Sequence, residues 1–293
     1  MSTADRDPFA RYRDRMAALG FRPSSALGQN FLLDPSLHRW IADCIAPTAA
    51  DTVVEIGVGL GFLTRELAAR AGRVVGVEID ARLLQLAREE LDDTAGIEWI
   101  AGDALGGPAR TLHPAIGAAL AAALPPGGRR LVIANLPYAV SGPLLAELVA
   151  ATPAIDGAVL LVQKELAQRV AAGTGAADYG GLSVAVQSTF EAALLRDVPP
   201  DVFRPRPKVT SSILRLQRRD DALTGSSEQR RQFLQFVRHL FRQRRKALRT
   251  TLRAAAAAIG GSPPVVEASL LGQRAETIAP RVIADWWRAC RPA

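Results

Sequence analysis

The tetrapeptide Asn135-Leu136-Pro137-Tyr138 ends the apolar run Leu131–Ala134 and sets an amide, a backbone carbonyl, a proline and an aromatic ring in succession. An exocyclic ring amine is a poor nucleophile because its lone pair is delocalised into the ring. Two acceptors against its N–H bonds favour pyramidal geometry and localise that pair, which combines orientation with electrostatic stabilisation. Asn135 can offer a side-chain oxygen and Leu136 its carbonyl. Pro137 lacks an N–H and fixes the turn so that this carbonyl points inward. Tyr138 offers a flat face on which an extruded base can stack. The competing reading is an ordinary strand-ending turn, since Asn and Pro are common turn residues. What stands on the neighbouring strands decides between them.

The stretch VVEIGVGLGFLTREL places Gly57, Gly59 and Gly61 after one predicted strand and before a predicted helix, with Glu55 two residues upstream. Glycines there let the chain turn sharply and let a ligand approach the backbone. The spacing is Gly-x-Gly-x-Gly, whereas a dinucleotide fingerprint wants Gly-x-Gly-x-x-Gly. The next predicted strand, RVVGVEID, ends on Glu78 and Asp80, and an acid at such a tip can accept both hydroxyls of a ribose. The third offers Asp103, whose carboxylate can accept from an exocyclic adenine amine. Taken singly, each acid also reads as a solvated loop charge or a helix cap. Together, on three successive strand tips, they describe an adenosine pocket. With no second phosphate site in the pattern, S-adenosyl-L-methionine fits better than NAD.

Those tips need a sheet behind them. Apolar, β-branched runs at 52–57, 73–80, 97–103, 130–135 and 157–163 read as buried strands. FLTRELAAR, ARLLQLAREEL and SGPLLAELVA, with apolar residues three and four apart, read as the helices between. Such alternation predicts a doubly wound parallel α/β sheet. Runs at 192–198 and 211–216 can close it as an antiparallel pair. The long connection Gly106–Arg130 reads as a surface excursion with a short Ala-rich helix. QRRDDALTGSSEQR, residues 217–230, reads as a linker into a purely helical remainder.

The 293 residues carry a formal charge of +7, unevenly distributed. Residues 201–293 hold 19 Lys/Arg against 7 Asp/Glu, while residues 1–200 hold 17 against 22. A basic C-terminal third suggests a polyanionic partner. There Arg238, Arg242, Arg245, Arg249 and Arg253 recur at helical spacing as one stripe, with Leu234, Val237, Phe241, Leu248 and Leu252 as an apolar seam. The same stripe also reads as a solvated face. Trp286 and Trp287 are expected to pack this helical part. Cys44 and Cys290 have no ligand or redox spacing, so neither a disulfide framework nor a metal site is indicated. The polar start lacks an apolar targeting core and no later run approaches a membrane span, so a cytoplasmic protein is expected. His38, His113 and His239 are scattered and receive no chemistry.

In these motifs the chain resembles the KsgA-type ribosomal RNA adenine N6,N6-dimethyltransferases. LGQNFLLD (Leu27–Asp34) is similar to the family's opening motif, which implies that Gln29, Asn30 and Leu32 line the cofactor site with Glu55, Gly57, Gly59, Gly61, Glu78, Asp103 and Asn135. EIGVGLG, VEID, GDAL and NLPY follow in family order, with Val58 where proline is usual and Gly181 where arginine is common. VFRPRPKVTSSILRL matches a later signature. It implies that Phe203 packs on the target base opposite Tyr138 and that Arg204, Arg206 and Lys208 contact RNA. FRQRRKALR resembles the basic stretch of the family's small helical domain, adding Lys246 to Arg238, Arg242, Arg245 and Arg249.

The resemblance implies a Rossmann-like class I methyltransferase domain over 1–217 and a helical RNA-contacting domain over 218–293. It further implies a monomer without a metal that dimethylates two adjacent adenines near the 3′ end of 16S rRNA in the small ribosomal subunit or its assembly precursor. Three other readings stand beside it. One is an RNA-binding assembly or transcription factor with an unused cofactor pocket, one a large-subunit enzyme of the erythromycin-resistance type, and one a DNA adenine methyltransferase.

Overall fold

The computed structural model of the chain describes residues 8–21, 29–223 and 225–290. Leu27 and Gly28 of the opening motif lie outside the described residues. Helix α1 (Pro8–Ala18), strand β1 (Phe31–Leu32) and helix α2 (Pro35–Asp43) come first. Then follow β2 (Thr52–Ile56), α3 (Phe62–Ala68), β3 (Arg73–Glu78), α4 (Ala81–Glu90), β4 (Ile97–Ala101), α5 (Pro114–Ala121), β5 (Arg130–Asn135), α6 (Ser141–Ala150) and β6 (Gly157–Gln163). Helices α7 (Lys164–Ala171) and α8 (Gly181–Gln187) lead to β7 (Phe190–Val198), β8 (Phe203–Arg204) and β9 (Ser211–Arg218).

The main sheet has the order β4-β3-β2-β5-β6-β9-β7, the first five strands parallel and the last two antiparallel. Both the alternating α/β pattern and the antiparallel closure are as the sequence predicts. Along each inner strand alternate residues divide between two cores. Val54, Val75, Val132 and Leu160 face the cluster that includes α5 and α6, while Val53, Val74, Leu131 and Val159 face the one that includes α2 and α3. The third run is a correction. β4 has one neighbour and lies at the sheet edge with Glu98 and Ala101 exposed, and Glu98 pairs with Arg73 at 2.7 Å. The excursion does contain its short helix, α5.

β2 is buried throughout, Glu55 included. Burial pushes the Glu55 carboxyl up to about 8, opposed by the Thr64 hydroxyl and assisted by the nearby Glu78 charge. Glu55 therefore sits neutral inside the sheet near pH 7.

The expected linker is packed instead of free. Ala222 and Leu223 are buried, the Leu223 N–H donates to the Ser188 carbonyl at 2.8 Å, and the buried Arg230 donates to the Ala151 carbonyl and to Thr152 Oγ1. Beyond it lie α9 (Ser227–Leu240), α10 (Leu248–Ala258), α11 (Ala268–Leu271) and α12 (Pro280–Cys290). A reciprocal cap between Ser226 and Gln229 starts α9. These helices share one core with Tyr179, Val184 and Leu223, in which the Phe233 and Trp287 rings meet edge to face at 5.5 Å. Trp286 and Cys290 are buried there too.

The single basic helix expected over 234–253 is the larger correction. α9 stops at Leu240 and α10 begins at Leu248, so Phe241–Ala247 is a turn segment. No glycine or proline dictates this break. Tertiary contacts do: the Arg244 guanidinium donates to the Ala177 carbonyl at 3.0 Å and to Glu276 at 3.2 Å, and the Leu248 N–H to the Gln273 carbonyl at 2.8 Å.

Two outcomes are expected. Trp287→Ala should destabilise the chain by about 3–5 kcal/mol, as large-to-small core changes do, measured by denaturant unfolding. For Glu55 the sign follows from its raised value. Between the ordinary 4.5 and about 8 the unfolded chain has released a proton that the native state keeps, so stability falls as pH rises through that window. Glu55→Gln should flatten this slope and exceed the parent at pH 9 by on the order of a few kcal/mol, read from urea midpoints across pH 6 to 9.

Candidate active site

The order of the parallel strands reverses between β2 and β5, and ligands bind in the crevice outside the carboxyl ends at such a reversal. A cavity of about 270 Å³ lies there. Its wall takes residues from the ends of β2 (Gly57, Gly59), β3 (Glu78, Ile79), β4 (Gly102, Asp103) and β5 (Asn135–Val140), with Gln29, Asn30 and Phe31 leading into β1.

The glycine loop is set by its own backbone and by β3. Gly57 and Gly59 have φ of 79° and 58°, a region that non-glycine residues rarely adopt, and a side chain at Gly59 would meet the Phe31 ring at 3.4 Å. The Gly57 N–H donates to the Val77 carbonyl at 2.8 Å and the Gly59 N–H to Glu78 Oε2 at 2.9 Å. The Asp80 N–H donates to Glu78 Oε1 at 3.0 Å. Burial raises the Glu78 carboxyl while these N–H groups pull it back down. The Glu78 carboxyl keeps acceptor capacity beside these N–H groups, which suits a ribose hydroxyl. Asp80 is occupied elsewhere: it caps α4 and holds Arg82 at 2.7 Å. Asp103 Oδ1 accepts from the Leu105 N–H at 2.9 Å, and Oδ2 bonds no described residue. This donor and acceptor set fits the adenosine part of S-adenosylmethionine.

At the end of β5, Asn135 Nδ2 donates to the Asn30 carbonyl at 3.2 Å. A carbonyl can only accept, so the amide orientation is determined and the side-chain oxygen remains an acceptor. The Leu136 N–H donates to the Leu161 carbonyl at 3.0 Å and its side chain is buried, so the residue contributes backbone to the site. The Pro137 carbonyl accepts from the Val140 N–H and from Ser141 Oγ, which closes the turn into α6. The Tyr138 hydroxyl meets Ser211 Oγ at 2.7 Å. Burial raises this phenol above its ordinary value despite the Ser211 bond, so the ring is neutral near pH 7.

Four expected site residues lie apart from the cavity. Glu55 is sealed inside β2 beside Thr64. Gly61, at φ 79°, begins α3, and a side chain there would press Leu91 at 3.1 Å, so it serves the packing of α3 on α4. Leu32 and Phe203 are registered partners in the small β1–β8 ribbon and both point into the α2/α3 core. Phe203 is fully buried and presents no face to a base here. Since neighbours on a strand alternate sides, the burial of Leu32 leaves Phe31 to line the cavity.

The remaining assigned residues are cationic and exposed. Arg204, Arg206 and Lys208 follow β8, with Arg204 donating to the Asp201 carbonyl at 2.8 Å. Arg238, Arg242, Arg245, Lys246 and Arg249 run from the end of α9 through the turn segment into α10. Sequence reasoning passed over Phe31, Ile79 and Arg110. Ile79 was legible as an apolar residue between two acids at a strand tip, and it is half exposed in the cavity wall. Arg110 carried no signal in its surroundings.

Residues 20–258 match the family described as ribosomal RNA adenine dimethylase. Ribosomal RNA small subunit methyltransferase A of Deinococcus radiodurans is 40% identical over 288 residues, 97% of this chain and 90% of that protein. Its namesake from Pelotomaculum thermopropionicum is 43% identical over 244 residues, 83% and 81% of the two chains. A dimethyladenosine transferase from Plasmodium falciparum shares the fold, with a TM-score of 0.68 at 22% identity over 86% of this chain and 94% of that one. The 23S rRNA methyltransferase ErmE has a TM-score of 0.61 at 26% identity, covering 89% and 99%. Matched over most of its length, with its motifs gathered at the sheet reversal, the chain belongs to the ribosomal RNA adenine dimethylase family.

Proposed function

We propose that this enzyme dimethylates N6 of two adjacent adenines near the 3′ end of 16S rRNA as the small ribosomal subunit is assembled. The observation that carries this reading is the Asn135–Tyr138 turn in the wall of the cavity that Glu78 and Asp103 also line, with the Asn135 amide oriented by Asn30. The named relatives at about 40% identity are small-subunit enzymes, which favours that subunit over the large one.

S-adenosylmethionine, when bound, supplies a methyl group on a cationic sulfur whose departure as a neutral thioether needs no acid. Glu78 and Asp103 hold its adenosine, and the backbone at Gly57 and Gly59 lets it approach closely. Asn135 Oδ1 and the Leu136 carbonyl accept the N–H bonds of the target amine and point its lone pair toward the methyl group. The Tyr138 ring supports the extruded base. Two units divide the work, the sheet over 1–217 for the chemistry and 218–293 for RNA. Arg238, Arg242, Arg245, Lys246 and Arg249 contact phosphates, as do Arg204, Arg206 and Lys208 after β8. The protein acts as a monomer in the cytoplasm. Among the described residues no helix is long and apolar enough to cross a membrane.

Incubation with labelled S-adenosylmethionine and unmethylated small subunits, large subunits or duplex DNA tests the reading. Dimethyladenosine from small subunits alone is expected; label in large subunits or DNA would transfer the assignment, and binding without label would leave a non-catalytic factor. Asn135→Ala should lower kcat by on the order of 100-fold, about 3 kcal/mol, with S-adenosylmethionine affinity held; collapse of that affinity would make Asn135 a cofactor ligand. Neutralising Arg242, Arg245 and Arg249 together should flatten the salt dependence of RNA binding by a slope of roughly three. An unchanged slope would return these residues to a solvated surface.

A further inference from the structure

We propose that Arg110 binds a backbone phosphate beside the extruded adenosine, an inference that rests on the methyl-transfer reading above. It makes the excursion between β4 and β5 a further RNA-contacting element. Its 3₁₀ turn, Pro108–Arg110, holds Ala109 and Arg110 at φ of 52° and 61°. Side chains other than glycine rarely occupy that region, and two in succession persist only where the surroundings hold them.

Here they are held at several points. The Gly107 N–H donates to the Thr111 carbonyl at 3.0 Å and the Arg110 N–H to the Gly107 carbonyl at 3.1 Å. The Leu112 N–H donates to Glu147 Oε2 at 3.2 Å. Glu147, on α6, is in turn clamped by both guanidinium nitrogens of Arg231 on α9, at 2.5 and 2.8 Å. The bend separates two neighbours. Ala109 lines the groove beside α9, while Arg110 reaches the nucleoside cavity with Gly102, Asp103, Ala139 and Val140.

Charge points to the ligand. Among the described residues lining the cavity, Arg110 is the only basic one, and the other charged groups are Glu78 and Asp103. A phosphodiester brought to this rim would find no other cation among the described lining residues. Arg110 is exposed, and its guanidinium makes no ion pair or hydrogen bond with a described residue. A free planar guanidinium at the rim suits two phosphate oxygens. Such a contact positions the strand without reading its sequence. Glu147 acts as a positioning residue, because it fixes the bend that aims Arg110 while bonding α9.

Steady-state methylation of unmethylated small subunits over a range of potassium chloride, with calorimetric titration of S-adenosylmethionine, tests this. Arg110→Gln should raise KM for the subunit about tenfold, with kcat within twofold, and lower the salt slope by about one. Its S-adenosylmethionine Kd should equal that of the parent, and Arg110→Lys, which keeps the charge without the planar fork, should restore the salt slope but recover only part of the KM loss. Glu147→Gln should shift KM in the same direction by a smaller factor. An unchanged KM and slope in Arg110→Gln would overturn the assignment, and a weakened S-adenosylmethionine Kd would make Arg110 a cofactor ligand instead. Failure of the parent itself to methylate small subunits would overturn the underlying reading, so the two failures are separable.

Discussion

The reversal of strand order between β2 and β5 is the constraint from which the site follows. Crossovers leaving these adjacent strands pass to opposite faces of the sheet, so nothing covers the carboxyl edge between them. β3 and β4 extend the sheet to one side and β6 to the other, and each parallel strand delivers its last residues to the same edge. Glu78, Asp103 and Asn135 converge from separate parts of the chain for that reason alone. The two bonds from Glu78 to the Gly59 and Asp80 N–H groups then tie the glycine loop to the tip of β3. Rigid strands hold the ligand-facing groups, and the short turns only finish them.

Burial divides the acids of this edge into different kinds. Glu55 is held neutral beneath the loop, whereas Glu78 is buried against backbone donors that counter the same desolvation. Two ionised carboxylates side by side in the sheet would repel each other and any phosphate nearby. Keeping Glu55 protonated removes that repulsion from the base of the cavity.

The helical part does not hang from the sheet by a flexible tether. Arg230 bonds the end of α6 and Arg231 grips Glu147 in the same helix, while Tyr179 is buried among the helices with its hydroxyl on the Ile278 carbonyl at 2.7 Å. These contacts place the exposed cations of α9 and α10 in a defined relation to the excursion that carries Arg110. Charged side chains near the junction are thus split between those that join the two parts and those left exposed to solvent.

Local pattern alone determined much of this protein. Strand runs, helical spacing between them, the glycine loop, the acids at the tips and the Asn135–Tyr138 turn were legible because alternation, periodicity and turn chemistry act over a few residues. Other features were decided by contacts distant in sequence. Which side Leu32, Phe31 and Phe203 face depends on the pairing of residues 31–32 with 203–204. A continuous basic pattern became two helices because Arg244 and Leu248 found partners near residues 177 and 273. Position 55 became a buried neutral acid, and Arg110 a cavity residue through two left-handed backbone angles and an anchor on α6. Propensity and spacing describe what a segment can become, and the side it presents is set only when the rest of the chain packs against it.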